Sequence, residues 1–321
     1  MTPLVPPDEI VIRLATDADR PAMSRVNALA NAVAGLSLGG RLARRFGPLP
    51  SGPTRPLPFD AVVAEVDGEV VGFSGWRFDP QTGVGEVKGN YVHPDWQGRG
   101  ISTRLVAEGY RRLLALGPRL CKVRTEQDNV VARHIYEDTF GYECLFAGEH
   151  WSRRLDPDAA PRAPAPPIRP ARAADVDAIA ELELTAVERW GASEWLLIER
   201  RFGPVLLPSW RELQRRVCDP TCTLVVEAGG GIVAAAVYAP GGGSRRGRLQ
   251  RVALKASIEN DPIAADLIAA VCGRLAGGGD TVATIEIMEG AAPVLRALTR
   301  AGFERTGAIV TCCRLPHGPP L

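Results

Sequence analysis

The stretch Tyr91-Val92-His93-Pro94-Asp95-Trp96-Gln97-Gly98-Arg99-Gly100-Ile101-Ser102-Thr103 decides how this chain reads. A β-rich run ends at Val92, a tight loop carries glycines at 98 and 100, and apolar residues at Ile101, Leu105, Val106, Leu113 and Leu114 then recur at helical spacing. Strand, glycine loop and helix start together make an anion cradle. The first N–H groups of a helix have no intrahelical acceptor and the macrodipole is positive there, so a pyrophosphate can take their hydrogen bonds. Gly98 and Gly100 let the backbone come close to such a ligand. The loop lacks the third glycine of a dinucleotide fingerprint and the Gly-Lys-Ser/Thr of a P-loop, which disfavours both nucleotide readings.

Working outward, the run AVVAEV from Ala61 and the run EVVGFSGW from Glu69 are joined by Asp67-Gly68, a hairpin signal between β-rich segments. A third strand, GEVKGNYV, leads into His93-Pro94. Earlier in the chain, Ile10–Leu14 reads as a short strand before a helix that Asp17 or Asp19 can cap. The Gly/Pro-rich stretch from Gly35 to Pro58 reads as a variable, substrate-facing part. Downstream, a strand near Cys121–Thr125 and a helix from Asn129 to Thr139 complete an α/β unit, a mixed twisted sheet flanked by helices.

That unit occurs twice. IRLATDAD from Ile12 returns as IRPARAAD from Ile168, and RRFGP from Arg44 returns intact from Arg200, both 156 residues later. VVAEVDGEVVG from Val62 matches LVVEAGGGIVA from Leu224 at an offset of 162, and RHIYEDTFGYE from Arg133 matches VLRALTRAGFE from Val294 at 161. Between the copies, Asp156 to Pro167 holds five prolines and almost no bulky apolar residue, the composition of a semi-rigid connector. The expected organisation is a flexible N-terminus over 1–9, a first domain over 10–155, a linker over 156–167 and a second domain over 168–321.

Composition narrows the function classes. With 321 residues, 45% hydrophobic and 23% charged, the chain resembles an ordinary globular protein with room for two cores. A formal charge of +1, with no basic run, does not point to nucleic acid. Neither a membrane span nor a signal peptide is indicated, so a cytoplasmic location is expected. The seven cysteines include no C-x-x-C pair and read as reduced thiols, and no metal site is expected.

With Asn129, Ala132, Tyr136 and Gly141-Tyr142 following it, the loop resembles the signature of the GNAT superfamily of N-acetyltransferases. The family pattern Q/R-x-x-G-x-G/A is met in variant form by Gln97, Gly98, Arg99, Gly100, Ile101 and Ser102. The resemblance covers the whole first domain, and the second by internal homology. It implies acetyl-coenzyme A as co-substrate, bound between strands that splay near Val92 and Thr125. Its pantetheine amides would pair with backbone at Tyr91 and Val92 and with Asn129. Its pyrophosphate would lie on residues 98 to 103, which includes Thr103, with Gln97 leading that loop.

The chemistry needs a proton acceptor, because an alkylammonium with a pKa of about 10 is almost wholly protonated at neutral pH. Glu86 is the candidate: the two-residue strand period places 86, 88, 90 and 92 on one face, and family members often hold a carboxylate there. Tyr136 falls where the family has a general acid able to protonate the departing thiolate. His93 reads as a solvated loop residue rather than a catalytic one.

The second copy departs at each of these places. Glu259, Asn260, Asp261 and Pro262 replace Gln97, Gly98, Arg99 and Gly100, while Gly290 and Ala297 replace Asn129 and Tyr136. Proline removes an N–H and the carboxylates oppose a pyrophosphate, so this copy is expected to be silent. The leading expectation is acetyl transfer to the amine of a small molecule by direct attack. Alternatives are a peptide or protein amine, or a non-catalytic acyl-CoA-binding or sensing protein. The chain is expected to be a monomer or homodimer, the second domain standing in for a dimer partner.

Overall fold

Arg13 and Arg169 open the two halves of the chain with the same ion network. Arg13 donates to both oxygens of Asp19 at 2.8 Å and to Glu65 at 2.8 Å. Arg169 does so to Asp175 at 2.7 and 3.1 Å and to Glu227 at 2.6 Å. The internal repeat is therefore a repeat of structure. The computed structural model describes residues 9–34, 60–156, 167–191, 194–203, 219–288 and 290–316. The stretch Gly35–Pro58 and nearly all of the 156–167 linker lie outside the described residues.

The N-terminal half contains β1 (Val11–Leu14), α1 (Arg20–Ala34), β2 (Asp60–Val66), β3 (Glu69–Asp79), β4 (Val84–Val92), α2 (Ile101–Leu114), β5 (Leu120–Glu126), α3 (Val130–Arg133) and β6 (Glu143–Arg154). The C-terminal half follows with β7 (Ile168–Pro170), α4 (Val176–Trp190), α5 (Glu194–Phe202), β8 (Thr223–Ala228), β9 (Gly231–Ala239), β10 (Arg246–Leu254), α6 (Ile263–Gly277), β11 (Val282–Met288), α7 (Ala292–Arg300) and β12 (Glu304–Arg314). Asp67 and Gly68 both have positive φ, 50° and 79°, the hairpin geometry their sequence requires. Among the described residues no helix is long and apolar enough to cross a membrane.

Among the described residues twelve strands form one sheet, ordered β1-β2-β3-β4-β5-β12-β6-β11-β10-β9-β8-β7. Each half surrenders its last strand to the other. β12 lies between β5 and β6, and β6 lies between β12 and β11. Core residues are exchanged with the strands. Val310 and Cys312 belong to the apolar core around Val87, Tyr110 and Val123, while Leu155, just past β6, belongs to the core around Leu267 and Val271. Arg314 of β12 is buried, donates to the Phe140 carbonyl and lies 5.3 Å from the centre of the Tyr110 ring.

The expectation of reduced thiols is corrected at one pair. Cys144 and Cys312 are directly opposite in the exchanged strands and form a disulfide. A separation of 168 residues hides that adjacency in the sequence.

A chain stopped after Asp156 would lack β12 and leave β5 and β6 without their shared partner. It should fail to give a soluble, cooperatively unfolding monomer, checked by size-exclusion chromatography and circular dichroism. A well-folded truncated monomer would contradict the dependence on β12.

Candidate active site

Two local departures from regular sheet open a cleft in the N-terminal half. β4 and β5 pair in parallel only from Val84–Val87 against Leu120–Val123, and beyond that they part. On its other edge β4 stays paired to β3, but its register shifts where Lys88 faces Gly75 and Asn90 faces Ser74. Gly89 is the extra residue, at φ +78°, and a Cβ there would stand 2.7 Å from the Tyr91 ring, so only glycine fits. This bulge corrects the expectation that 86, 88, 90 and 92 share a face. Glu86 and Lys88 lie on one face with Tyr91, whereas Asn90 and Val92 turn to the α2 side.

The cleft has a volume of about 670 Å³. Of the residues expected from sequence, Tyr91, Val92, Gln97, Gly98, Gly100, Ile101, Ser102, Asn129 and Tyr136 line it. Gly98 and Gly100 have φ of +76° and +73°, and a Cβ on either meets nothing within 4 Å. The left-handed backbone favours glycine at both positions, and both line the cleft. Gln97 Nε2 donates to the Val92 carbonyl at 3.1 Å and ties the loop to the strand end. Asn129 Oδ1 accepts from the Ala132 N–H at 3.1 Å and caps α3. Arg99 and Thr103 are not on the cleft wall. Arg99 lies over the Trp96 ring at 4.6 Å and donates to the Asp95 carbonyl at 3.1 Å. His93 Nδ1 accepts from the Asp95 N–H at 3.2 Å, a loop-stabilising role.

Tyr136 lies on the π-helical turn His134–Thr139 that continues α3, a helix irregularity common at functional sites. Its ring meets Tyr142 edge-on at 6.0 Å within the core, so it is at once a core aromatic and part of the cleft wall. Burial, reinforced by the nearby Tyr91 phenol, pushes its pKa well above the ordinary value, which keeps the hydroxyl protonated and able to donate.

Glu86 is buried off the wall. It pairs with Lys88 at 2.7 Å and Arg77 at 3.4 Å. Burial pushes its pKa up, but Lys122, Lys88 and Arg77 outweigh that and hold the carboxyl below the ordinary range. Lys122 in turn pairs with Glu194 of α5 at 2.6 Å.

Among the wall residues that sequence reasoning missed are the polar and charged Asn31, Asn90, Arg124 and Glu126, and Ile309 from the other half. Asn90 gave a signal, a polar residue inside an apolar strand. It donates to Ser102 Oγ at 2.6 Å, and its own Oδ1 is buried without a partner.

The equivalent place in the C-terminal half is occupied by its own side chains. Glu259 accepts from Arg189 and from Trp190 Nε1 of α4, each at 2.8 Å. Arg189 also donates to the Leu254 carbonyl at 2.6 Å, the counterpart of the bond Gln97 makes to Val92. Asp261 Oδ1 takes the Ile263 N–H at 2.9 Å. Arg251, where the first copy has Gly89, pairs with the buried Glu183 at 3.1 Å.

Residues 51–142 match the model of the Acetyltransferase (GNAT) family. A mycothiol acetyltransferase of Streptomyces avermitilis is 36% identical over 80 residues, a stretch covering 25% of this chain and 26% of that protein. A GCN5-related N-acetyltransferase from Sphaerobacter thermophilus superposes with a TM-score of 0.67 at 20% identity, over 98% of each chain. A tandem GNAT protein from the clavulanic acid biosynthesis pathway superposes with a TM-score of 0.58 at 16% identity, over 97% of this chain and all of that one. These superpositions show the fold.

Gly98→Val and Gly100→Val should each weaken coenzyme A binding by about tenfold or more, because a side chain would project where a pyrophosphate approaches the backbone. Calorimetry with unchanged affinity in a folded variant would remove the cradle assignment.

Proposed function

We propose that this chain, whose residues 51–142 belong to the GNAT acetyltransferase family, is an acetyl-coenzyme A-dependent N-acetyltransferase working from its N-terminal half on the amine of a small molecule. The observation that carries this reading is the single cleft that joins the glycine loop, the parted strands β4 and β5 and the protonated Tyr136. The local likeness to a mycothiol acetyltransferase supports acetyl transfer as the chemistry.

In this reading the pyrophosphate rests on the Gly98–Ser102 backbone and the pantetheine arm lies between β4 and β5 beside Asn129. The arm's amides find backbone partners there that the parted strands no longer share with each other. The amine attacks the thioester carbonyl directly. Tyr136 protonates the sulfur as the C–S bond breaks. Glu86 draws a proton from the amine by way of water, since it lies off the wall, and its depressed pKa makes it a weak base. Tyr136→Phe should therefore lower kcat by about 10²–10⁴-fold with acetyl-coenzyme A affinity nearly kept, and Glu86→Gln should cost less. Steady-state release of free thiol checks both, and a larger loss in Glu86→Gln than in Tyr136→Phe would invert these roles.

The second copy acts as a packed partner in place of a second subunit. The Ile263 N–H at its helix start is already engaged by Asp261, and its strand-end carbonyl by Arg189. Glu259 adds negative charge, and Pro262 has no N–H to offer. Each charge-assisted bond to a pyrophosphate is worth about 1.5–3 kcal/mol, so at about 1.4 kcal/mol per tenfold losing one should weaken binding about ten- to a hundredfold, and losing two about a hundredfold or more. Titration should show one acetyl-coenzyme A per chain. Two sites of similar affinity would contradict this division.

A further inference from the structure

Helix α5 belongs to the C-terminal half, yet it packs on the sheet of the N-terminal half. Its Ile198 is fully buried with Val84 of β4, Leu120 of β5 and Cys313 of β12, and Phe202 packs against the same cluster. An ion pair ties down each end of the helix: Glu194 to Lys122 of β5 at 2.6 Å, and Arg201 to Glu143 of β6 at 2.7 Å. The first of these reaches Glu86, because Lys122 stands directly opposite it in the parallel pairing of β5 with β4. The charges around the Glu86 carboxylate are then Arg77 from β3, Lys88 from β4 and Lys122 from β5. Cys313, opposite Lys122 on β12, adds none, since burial pushes its thiol up to about 12. Three cations surround one buried carboxylate, and Glu194 brings the second carboxylate of the group. At the same step of the C-terminal half Arg248 stands opposite Thr284, so neither the carboxylate nor the lysine is repeated there.

We propose that Glu194 is a positioning residue for Glu86: by holding Lys122 from the far side, it keeps that cation from neutralising the proton-accepting carboxylate. The inference rests on the acetyltransferase reading above, in which Glu86 receives the amine proton. Apart from burial, Lys122 is the largest single influence on Glu86, and it pulls the carboxyl down. A lysine that shares its charge with a second carboxylate pulls less, so the C-terminal half preserves what base strength Glu86 has. The two ends of one ion pair thus act on Glu86 in opposite senses. A purely structural bridge between α5 and β5 would be broken alike from either end.

The first test is a carbon-13 carboxyl titration of the full chain labelled at glutamate, with the Glu86 signal assigned by its loss in Glu86→Gln. Glu194→Gln should move the Glu86 titration to lower pH and Lys122→Met should move it to higher pH, each by about half a pH unit or more. Arg201→Met, which cuts the other anchor of α5, should leave it in place. The second test is release of free thiol from acetyl-coenzyme A with tyramine, histamine and cadaverine as acceptors. Glu194→Gln should lower kcat about threefold or more with KM for acetyl-coenzyme A unchanged. It should cost nothing further in a Glu86→Gln background, where a structural defect would still add its own loss. Should Lys122→Met not fold, Glu194→Gln and the double variant decide. Titrations moved in the same direction by both substitutions, or additive losses in the double variant, would overturn the inference alone. Opposite titration shifts with no thiol release from any of the three amines would sustain the link between Glu194 and Glu86 and overturn the acetyltransferase reading.

Discussion

The pairing of β6 with β12 is the constraint on which the rest of the molecule depends. These strands cross between the halves, and Gly148 of β6 faces Ile309 of β12, its own counterpart at the 161-residue offset of the repeat. The pairing therefore runs through a pseudo-two-fold axis. Arg124 and Glu286, equivalent at the 162-residue offset, meet across the same region. In a dimer of identical chains a position on the axis must meet itself, so an arginine would oppose an arginine. Joining the copies in one chain removes that requirement. A glycine can face an isoleucine and a cation can face an anion, and each such pair favours association of unlike halves.

The exchange also shapes the cleft. β12 holds the outer edge of β5 along six residue pairs, from Ile309–Glu126 to Arg314–Cys121. β5 is thus fixed on one side while its other side parts from β4 after Val87 and Val123. The bulge at Gly89 lets β4 keep its pairing with β3 while turning Asn90 toward Ser102. A sheet interior with unpaired backbone on both facing strands is costly unless a ligand or side chains satisfy it. Ile309 closes the far wall, so the C-terminal half is part of the cleft as well as its support.

Much of this was legible in the sequence, because it rests on local chemistry. Asp67-Gly68 specifies a hairpin by itself, Gly98 and Gly100 specify a left-handed loop before a helix, and the collinear repeats specify two copies of one unit. The strand exchange was not legible, since β6 and β12 have the alternating pattern of any half-buried strand whichever neighbour they take. The Cys144–Cys312 bridge and the Ile309 wall were hidden for the same reason. The face of Glu86 was misread because a bulge adds one residue to the strand period, and Gly89 was the only trace of it. Arg124 and Glu126 carry no motif, and only the parting of two strands gives them a shared opening.

The two glycine-loop positions show how one backbone problem was solved in two incompatible ways. Both strand ends present a carbonyl to the loop, at Val92 and at Leu254. In the N-terminal half Gln97, from the loop itself, satisfies it with a neutral side chain and leaves the helix start open. In the C-terminal half Arg189 reaches across from α4, and its charge brings Glu259 to the loop as its partner. Asp261 then takes a helix N–H for itself. Each of these bonds steadies the second loop, and together they bring a carboxylate to its helix start. A helix start cannot be capped from within and also remain an anion site. In the second copy the same hydrogen bonds that steady the loop use up its helix start, whereas the first copy leaves its loop unsatisfied and open to the cleft.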